Sequence, residues 1–532
     1  MGNSEKPNKE NLNTEENIIY LLPKKNKGLK KWLFTRLPAF ILLIALEVGI
    51  LLAIFGWFKD FFPYFTAVQS IFSVAMVIYL FNCGMDYSAK LTWLFLIMLA
   101  PVPGALFLAW TRNDIGHRTE QLKINNIIAE TKTYLPQDES VINDADIIAS
   151  GTDDLCRYLN HSGCFPIYKN TAVTFFPLGE DKFKAMLEEL EKAEKFIFME
   201  YFIIDEGYMW GKLLDVLSRK AKQGVEVRVM YDGMCDVVLL SSDYSKRMAE
   251  LGIKCRPFSP IKPFISTHYN YRDHRKILVI DNKVAFTGGV NLGDEYINRR
   301  EVYGHWKDTA VMLKGEAVKS FTLMFLQMWQ IFDKEHEWDE FFTESSSVES
   351  SGFVMPFCDS PMDVYKTGES VYMDILYRAT DYVHIMTPYL ILDNELETAL
   401  KYAAERGIDV KLILPGIPDK KAAFALAKSH YKSLVSSGVK IYEYTPGFVH
   451  AKVFVSDGKK ATVGTINLDY RSLYHHFECA AYMYKTSCIP DIEKDFQYTL
   501  SKCSEVTLDT IKNETLYYKV MGGIMKIIAP LM

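Results

Sequence analysis

Two segments of the chain set a histidine and a lysine two residues apart at the head of an apolar run. They read His274-Arg275-Lys276-Ile277-Leu278-Val279-Ile280-Asp281 and His450-Ala451-Lys452-Val453-Phe454-Val455-Ser456-Asp457. In an extended strand alternate side chains share a face, so each histidine stands beside its lysine. An imidazole can attack phosphorus or carry a proton near neutral pH, and an ammonium offers charge and donors to non-bridging phosphate oxygens. Taken singly, such a histidine is more often a packing residue and such a lysine more often trails over the surface. Recurrence changes that. One offset of 176 carries His274 to His450, Lys276 to Lys452, Asp281 to Asp457, Ala285 to Ala461, Gly288 to Gly464, Asn291 to Asn467 and Leu292 to Leu468. Gly288 and Gly464 allow a tight turn, and Asn291 and Asn467 supply amides able to hold a phosphate oxygen. Asp281-Asn and Asp457-Gly are turn-forming pairs, so these aspartates stand open between scaffold and direct roles. The candidate catalytic set is His274, Lys276, Asp281, His450, Lys452 and Asp457.

The elements that must position these residues repeat as well. Phe196–Ile204 reads as a strand, Met209–Gln223 as an amphipathic helix and Val225–Tyr231 as a second strand; the order returns in Tyr382–Leu392, Glu395–Arg406 and Ile408–Leu414. Two β-α-β units with helices long enough to cover a sheet predict a duplicated α/β architecture. The polar stretch Thr343–Ser351, TESSSVESS, marks the boundary, giving halves at 113–345 and 346–532.

The N-terminal portion differs in kind. Leu37–Phe58 carries one charge, Glu47, while Phe61–Cys83 and Leu91–Thr111 carry none. Each is long enough to cross a hydrocarbon core as a helix, so 36–112 is expected to hold two or three membrane spans, after a basic, mobile tail at 1–35. Basic residues precede the first stretch and follow the third, an arrangement that three crossings would place on opposite sides. Phe61–Cys83, with Pro63, and Leu91–Thr111, with Pro101, Pro103 and Gly104, are therefore candidates for a re-entrant segment. A multi-pass protein of the cell membrane is expected. The apolar tail 522–532 is equally suited to the membrane interface, a terminal strand or a packed helix.

The 532 residues hold 60 lysines and arginines against 66 aspartates and glutamates, a balance of −6 that disfavours a nucleic-acid partner. Nine cysteines include no CxxC, His475 and His476 are adjacent rather than a helix turn apart, and Lys276 and Lys452 would repel a cation. No metal and no cofactor are expected.

At the two His-Lys segments the sequence resembles the phospholipase D superfamily, whose HxKxxxxD motif followed by GxxN appears here as HRKILVID with GGVNLGDEY and HAKVFVSD with GTINLDYRS. Further pieces resemble the bacterial cardiolipin synthases: EYFIIDEG beginning at Glu200, GHWKDT at 304–309, TPYLI at 387–391, and the stretch from Asn467 to Phe477 and Glu478. The resemblance covers nearly everything from about residue 110 onward. It implies two α-β-α sandwich domains related by a pseudo-twofold axis, preceded by N-terminal transmembrane helices, with both motifs meeting in one cleft. One histidine, assigned as His274, would form a phosphohistidine while His450 serves as acid and base. Lys276, Lys452, Asn291 and Asn467 would clamp the phosphate, and Glu200, Gly288 and Gly464 would line or support the site. The resemblance further places Asp308 against His274 and Glu478 against His450. The implied reaction joins two phosphatidylglycerol molecules into cardiolipin and releases glycerol. Hydrolysis of the phospholipase D type, or another phosphatidyl transfer, is the alternative. Phosphatidylglycerol and membrane lipids are the expected partners, and assembly of several copies stays open.

Overall fold

The computed structural model describes residues 18–21, 45, 49 and 62–531, apart from 113–114, 242, 261–270, 332, 334–335 and 343–346. The strands in chain order are β1 (Thr171–Phe176), β2 (Phe196–Tyr201), β3 (Glu226–Asp232), β4 (Lys254–Phe258), β5 (Arg272–Asp273), β6 (Lys276–Ile280), β7 (Val284–Gly288), β8 (His305–Lys307) and β9 (Ala310–Gly315), then β10 (Phe353–Asp359), β11 (Tyr382–Met386), β12 (Asp409–Pro415), β13 (Lys440–Tyr444), β14 (Gly447–Val449), β15 (Val453–Ser456), β16 (Lys460–Gly464), β17 (His476–Tyr484) and β18 (Cys503–Val506).

Two mixed sheets carry the same topology. The first runs β1-β9-β7-β6-β2-β3-β4 and the second β10-β17-β16-β15-β11-β12-β13-β18, so each strand of the first has a counterpart in order and β18 is an added edge. In both, the two β-α-β strands run parallel and the HxK strand pairs antiparallel beside them. The predicted strands at 196 and 382 stop earlier than their apolar runs. Tyr201 and Met386 end the strands, and beyond them only isolated bridges follow, Ile204 to Leu292 and Leu390 to Leu468.

Helices cover both faces of the first sheet because the side chains of β2 alternate between two cores. Ile197, Met199 and Tyr201 pack beneath the helix Tyr208–Lys222, which presents Trp210, Leu213, Leu214 and Leu217 at helical spacing. Phe196 and Phe198 face the other way, into a core that also holds Phe325 and Trp329 of the helix Val318–Gln330 and Val354, Ile385 and Val455 of the second sheet. One apolar core therefore joins the two sheets, which fixes the position of one motif relative to the other.

Of the three apolar stretches, one is a continuous helix and one is broken at its prolines. Leu37–Phe58 lies outside the described residues apart from Ala45 and Gly49. Phe62–Asn82 is one helix. The stretch Leu91–Thr111 is instead two helices, Tyr87–Leu99 and Pro101–Arg112, broken at Ala100, whose φ of −143° is extended. Pro101 disfavours helical backbone at the preceding residue, and Asp86 caps the first helix by accepting from Ser88 N and Ala89 N at 2.9 and 3.2 Å. A Cβ on Gly104 would lie 2.9 Å from Leu96 O, so the two helices fold back on each other in close contact. Among the described residues no helix is long and apolar enough to cross a membrane. The chain's C-terminal segment is a packed helix, Leu516–Ile528, whose Gly522 lies against Ala425 O of the helix Lys421–Ser436. Thr92 Oγ1 donates to Ile527 O at 2.6 Å and ties this helix to the broken pair.

Candidate active site

The spacing of the repeated motif follows from a hairpin. In the β6–β7 pairing Leu278 faces Phe286 and Ile280 faces Val284, so the chain climbs from Lys276, turns at Asp281-Asn282 and returns with Gly288 at the level of the lysine. The second half does the same, and Gly464 N donates to Lys452 O at 3.3 Å. Both ends of HxK…GxxN thus reach one end of the sheet. The aspartates lie at the other end, five residues or roughly 17 Å beyond the lysines at about 3.3 Å per residue.

That placement corrects the candidate set. Asp281 accepts from the backbone N–H groups of Glu194, Lys195 and Phe196 at 2.8, 2.8 and 2.7 Å, which pins the entry into β2. Asp457 accepts from Thr380, Asp381 and Tyr382 N at 2.9 to 3.0 Å at the entry into β11. Both residues have a φ near +55°, the left-handed turn geometry their following Asn or Gly was expected to allow. They are scaffold, not chemistry. Glu200 is likewise not at the site. Arg275, the residue between His274 and Lys276, points to the opposite face of the strand and donates from Nε to Glu200 Oε1 at 2.6 Å, with a second bond to Met324 O at 3.3 Å. Gly288 and Gly464 act through close approach: a Cβ there would lie 2.4 Å from Thr309 O and 2.3 Å from Ala480 Cβ respectively.

The histidines meet their acids across the two halves. His274 Nδ1 is 2.9 Å from both oxygens of Glu478, and His450 Nδ1 is 2.7 Å from Asp308 Oδ2. This reverses the expected pairing of Asp308 with His274 and Glu478 with His450. The physical reason is an exchange of strand segments. β5, just before His274, pairs in parallel with the start of β17, and His274 N donates to Phe477 O at 2.9 Å. β14, just before His450, pairs in parallel with β8, and His450 N donates to Lys307 O at 2.7 Å. Each acid follows the segment that grips the other half's histidine. Gly289 makes room for one pair, since a Cβ there would fall 2.0 Å from Asp308 Oδ1. Its counterpart Thr465 donates its hydroxyl to Glu478 in the other.

The lysines turn back on their own strands: Lys276 Nζ donates to His274 O at 2.6 Å and Lys452 Nζ to His450 O. Asn291 accepts from Ile203 N at 3.2 Å and donates to the Tyr296 hydroxyl at 2.8 Å, while Asn467 donates to Ser472 Oγ at 3.0 Å. Among the described residues the Asn467 side-chain carbonyl oxygen is buried without a partner. His274 and His450 are 6% and 8% exposed, so the cleft is narrow.

Burial dominates the electrostatics. It pushes His450 down to about 4, with Lys452 adding to the effect and Asp308 opposing it; burial and then Lys276 take His274 well below its ordinary value. Both rings are thereby held neutral near pH 7. Burial lowers Lys276 to about 8 and Lys452 to about 7, and raises Glu478 well above the usual carboxylate range. Burial would raise Asp308 too, but His450 and Lys452 outweigh it and hold the group below its ordinary value.

Three residues near the site escape sequence reasoning. Lys182 is fully buried, donates to Val290 O at 3.3 Å and is lowered by burial to about 7. Trp306 and His476 lie beside His450 and His274, with ring centroids 5.4 and 5.3 Å apart. His274, His476 and Glu478 bring potential ligand atoms within 4.8 Å of one another. His274 and Glu478 are already engaged with each other there, and Lys276 adds positive charge.

Comparison with known proteins identifies the family. The sequence profile of the family described as "Cardiolipin synthase, PLD-like domain" matches residues 186–329 and 372–500, one segment in each half. A cardiolipin synthase of Halalkalibacterium halodurans is 30% identical, with 93% of this chain and 99% of that one covered. An uncharacterized protein of Streptococcus mutans is 56% identical over 86% of this chain and all of its own length. A crystal structure of phosphatidylserine synthase from Haemophilus influenzae has the same fold, with a TM-score of 0.52 at 14% identity over 72% of this chain and 98% of that one. With the duplicated motif, the profile match in both halves and a relative similar across nearly the whole chain, the protein belongs to the phospholipase D-like family of cardiolipin synthases.

Proposed function

We propose that the protein is a phosphatidyltransferase that converts two phosphatidylglycerol molecules into cardiolipin and glycerol. The observation that carries this reading is the convergence of two His–acid pairs, His274–Glu478 and His450–Asp308, on one narrow cleft flanked by two ammonium groups.

In the first step His274 Nε2 attacks phosphorus. The P–N bond forms, the P–O bond to the headgroup glycerol breaks, and that oxygen takes the proton from His450 Nε2. A nucleophilic ring must be neutral, as burial makes His274. His450 must carry a proton to act as acid, and the phosphodiester supplies the condition: its negative charge raises the proton affinity of His450, Lys276 and Lys452 together. In the second step the headgroup hydroxyl of another phosphatidylglycerol gives its proton to His450 and attacks phosphorus, and the P–N bond breaks. The Nδ1–H of each ring, held on its acid, fixes which nitrogen faces the substrate. Asn291 and Asn467, at the same end of the hairpins, brace the loops beside the phosphate and complete its clamp.

The membrane assignment is part of the proposal. Support comes from the apolar stretch at 37–58 and from large apolar side chains left exposed on the helix Phe62–Asn82, among them Val68, Ile71, Val74, Ile78 and Phe81. Integral association with the cell membrane would present headgroups to the cleft without extracting the lipid into water.

The test is purified protein in phosphatidylglycerol vesicles, with products identified by mass. Cardiolipin and glycerol in equal amounts are expected. Phosphatidic acid without cardiolipin would replace the synthase reading with hydrolysis of the phospholipase D type.

A further inference from the structure

His476 occupies a place that sequence repetition does not mark. It lies two residues before Glu478, as Trp306 lies two before Asp308, and each is in the strand segment that grips the opposite half's histidine. The two ends of the cleft are therefore built alike but furnished differently. Trp306, Tyr296 and Phe448 surround the His450 ring, with centroids 5.4, 5.5 and 5.9 Å away. Around His274 stand Phe202 at 5.0 Å and His476 at 5.3 Å. His476 is 7% exposed, and among the described residues neither ring nitrogen has a hydrogen-bond partner. A buried imidazole left unpaired at both nitrogens costs free energy that a packing role does not explain. Glu478 stands beside it, with Oε1 3.5 Å from Nδ1, just beyond the length of a good hydrogen bond.

We propose that His476 is a positioning residue for the His274–Glu478 pair, closing onto the carboxylate as charge develops on the His274 ring. The proposal rests on the reading of His274 as nucleophile. When the P–N bond forms, the His274 ring becomes cationic and Glu478 must be an oriented carboxylate. That carboxylate accepts from Thr465 Oγ1 and His274 Nδ1, has the Ser472 hydroxyl beside it as a further donor, and with about four lone-pair sites keeps one for His476. A shift of well under 1 Å would bring His476 Nδ1–H to about 2.9 Å, a normal length for such a bond. Glutamate has one more rotatable bond than aspartate, so the His274 end has more freedom to restrain than the Asp308 end, where indole takes the equivalent place.

The test compares His476→Phe and His476→Asn in the full-length protein in phosphatidylglycerol vesicles, with thermal unfolding as a check on folding. Phe fills the space without a donor; Asn keeps an amide donor. The Phe variant is expected to lose about 10- to 100-fold in kcat with KM within about threefold, and Asn to recover most of the loss. Equal losses in both variants, a raised KM at unchanged kcat, or no change in either would overturn the proposal. Wild-type product identity is measured separately. If it were phosphatidic acid, the same kcat ratios would be read from its release, so failure of the synthase reading stays distinct from failure of this one.

Discussion

Replacing Asp281 by Asn separates scaffold from chemistry at the most conspicuous acid of the motif. The carboxylate accepts three backbone N–H groups at 2.7 to 2.8 Å where β2 begins. A hydrogen bond to a charged acceptor contributes about 1.5–3 kcal/mol, and one amide oxygen can replace only part of the set while its NH2 faces the same donors. Allowing for non-additivity, the loss is about 4 kcal/mol, a large share of the stability of an ordinary domain. The side chain sits roughly 17 Å along the strand from Lys276, so the folded variant keeps its cleft. Denaturant unfolding should show the large loss, while kcat per folded molecule at low temperature stays within about threefold of wild type. A stable variant with kcat down a hundredfold would refute the scaffold assignment.

The crossed pairing predicts that Glu478→Gln impairs His274 and Asp308→Asn impairs His450, each by about 10²- to 10⁴-fold in kcat. Adduct trapping with stopped lipid turnover should find a phosphatidyl-histidine accumulating in the Asp308 variant and scarce in the Glu478 variant. In Gly289→Ala the new Cβ would meet Asp308 Oδ1 at 2.0 Å and His450 O at 2.9 Å, so activity should fall at least about a hundredfold and stability by about 1–3 kcal/mol, checked by activity and unfolding of the same sample. The pH dependence follows from the buried rings. Because His450 is lowered to about 4 in the folded state from an ordinary 6.5, the unfolded chain binds the proton first as pH falls. This group's contribution is complete above about 6.5 and is lost progressively down to about 4, amounting to about 3 kcal/mol. His450→Gln should flatten that part of the stability profile. In activity, kcat/KM should decline above pH 7 to 8 as Lys452 and Lys276 lose their protons.

The duplicated α/β fold and the residues His274, Lys276, His450 and Lys452 were legible because a single offset of 176 reports them together. The resemblance named both acids, but it paired them wrongly: Asp308 and Glu478 are 170 apart and no register of the repeat links them. Their pairing depends on which half each strand segment joins, a contact between distant residues that one sequence does not encode locally. Asp281 and Asp457 show the converse: recurrence marks a shared requirement, and here the requirement is to tie down a strand entry. His476 had no signal beyond its neighbour His475. The break at Ala100 was visible in Pro101, but the packing of the C-terminal helix against the broken pair came only from the fold.

Because His274 and His450 each borrow an acid from the opposite half, neither half contains a complete reactive unit. A single-copy ancestor with this arrangement would have been inert alone and active only as a symmetric pair of chains. In the single chain that encounter is permanent, and the two reactive ends need not match: Glu478 stands beside His476, and Asp308 beside Trp306.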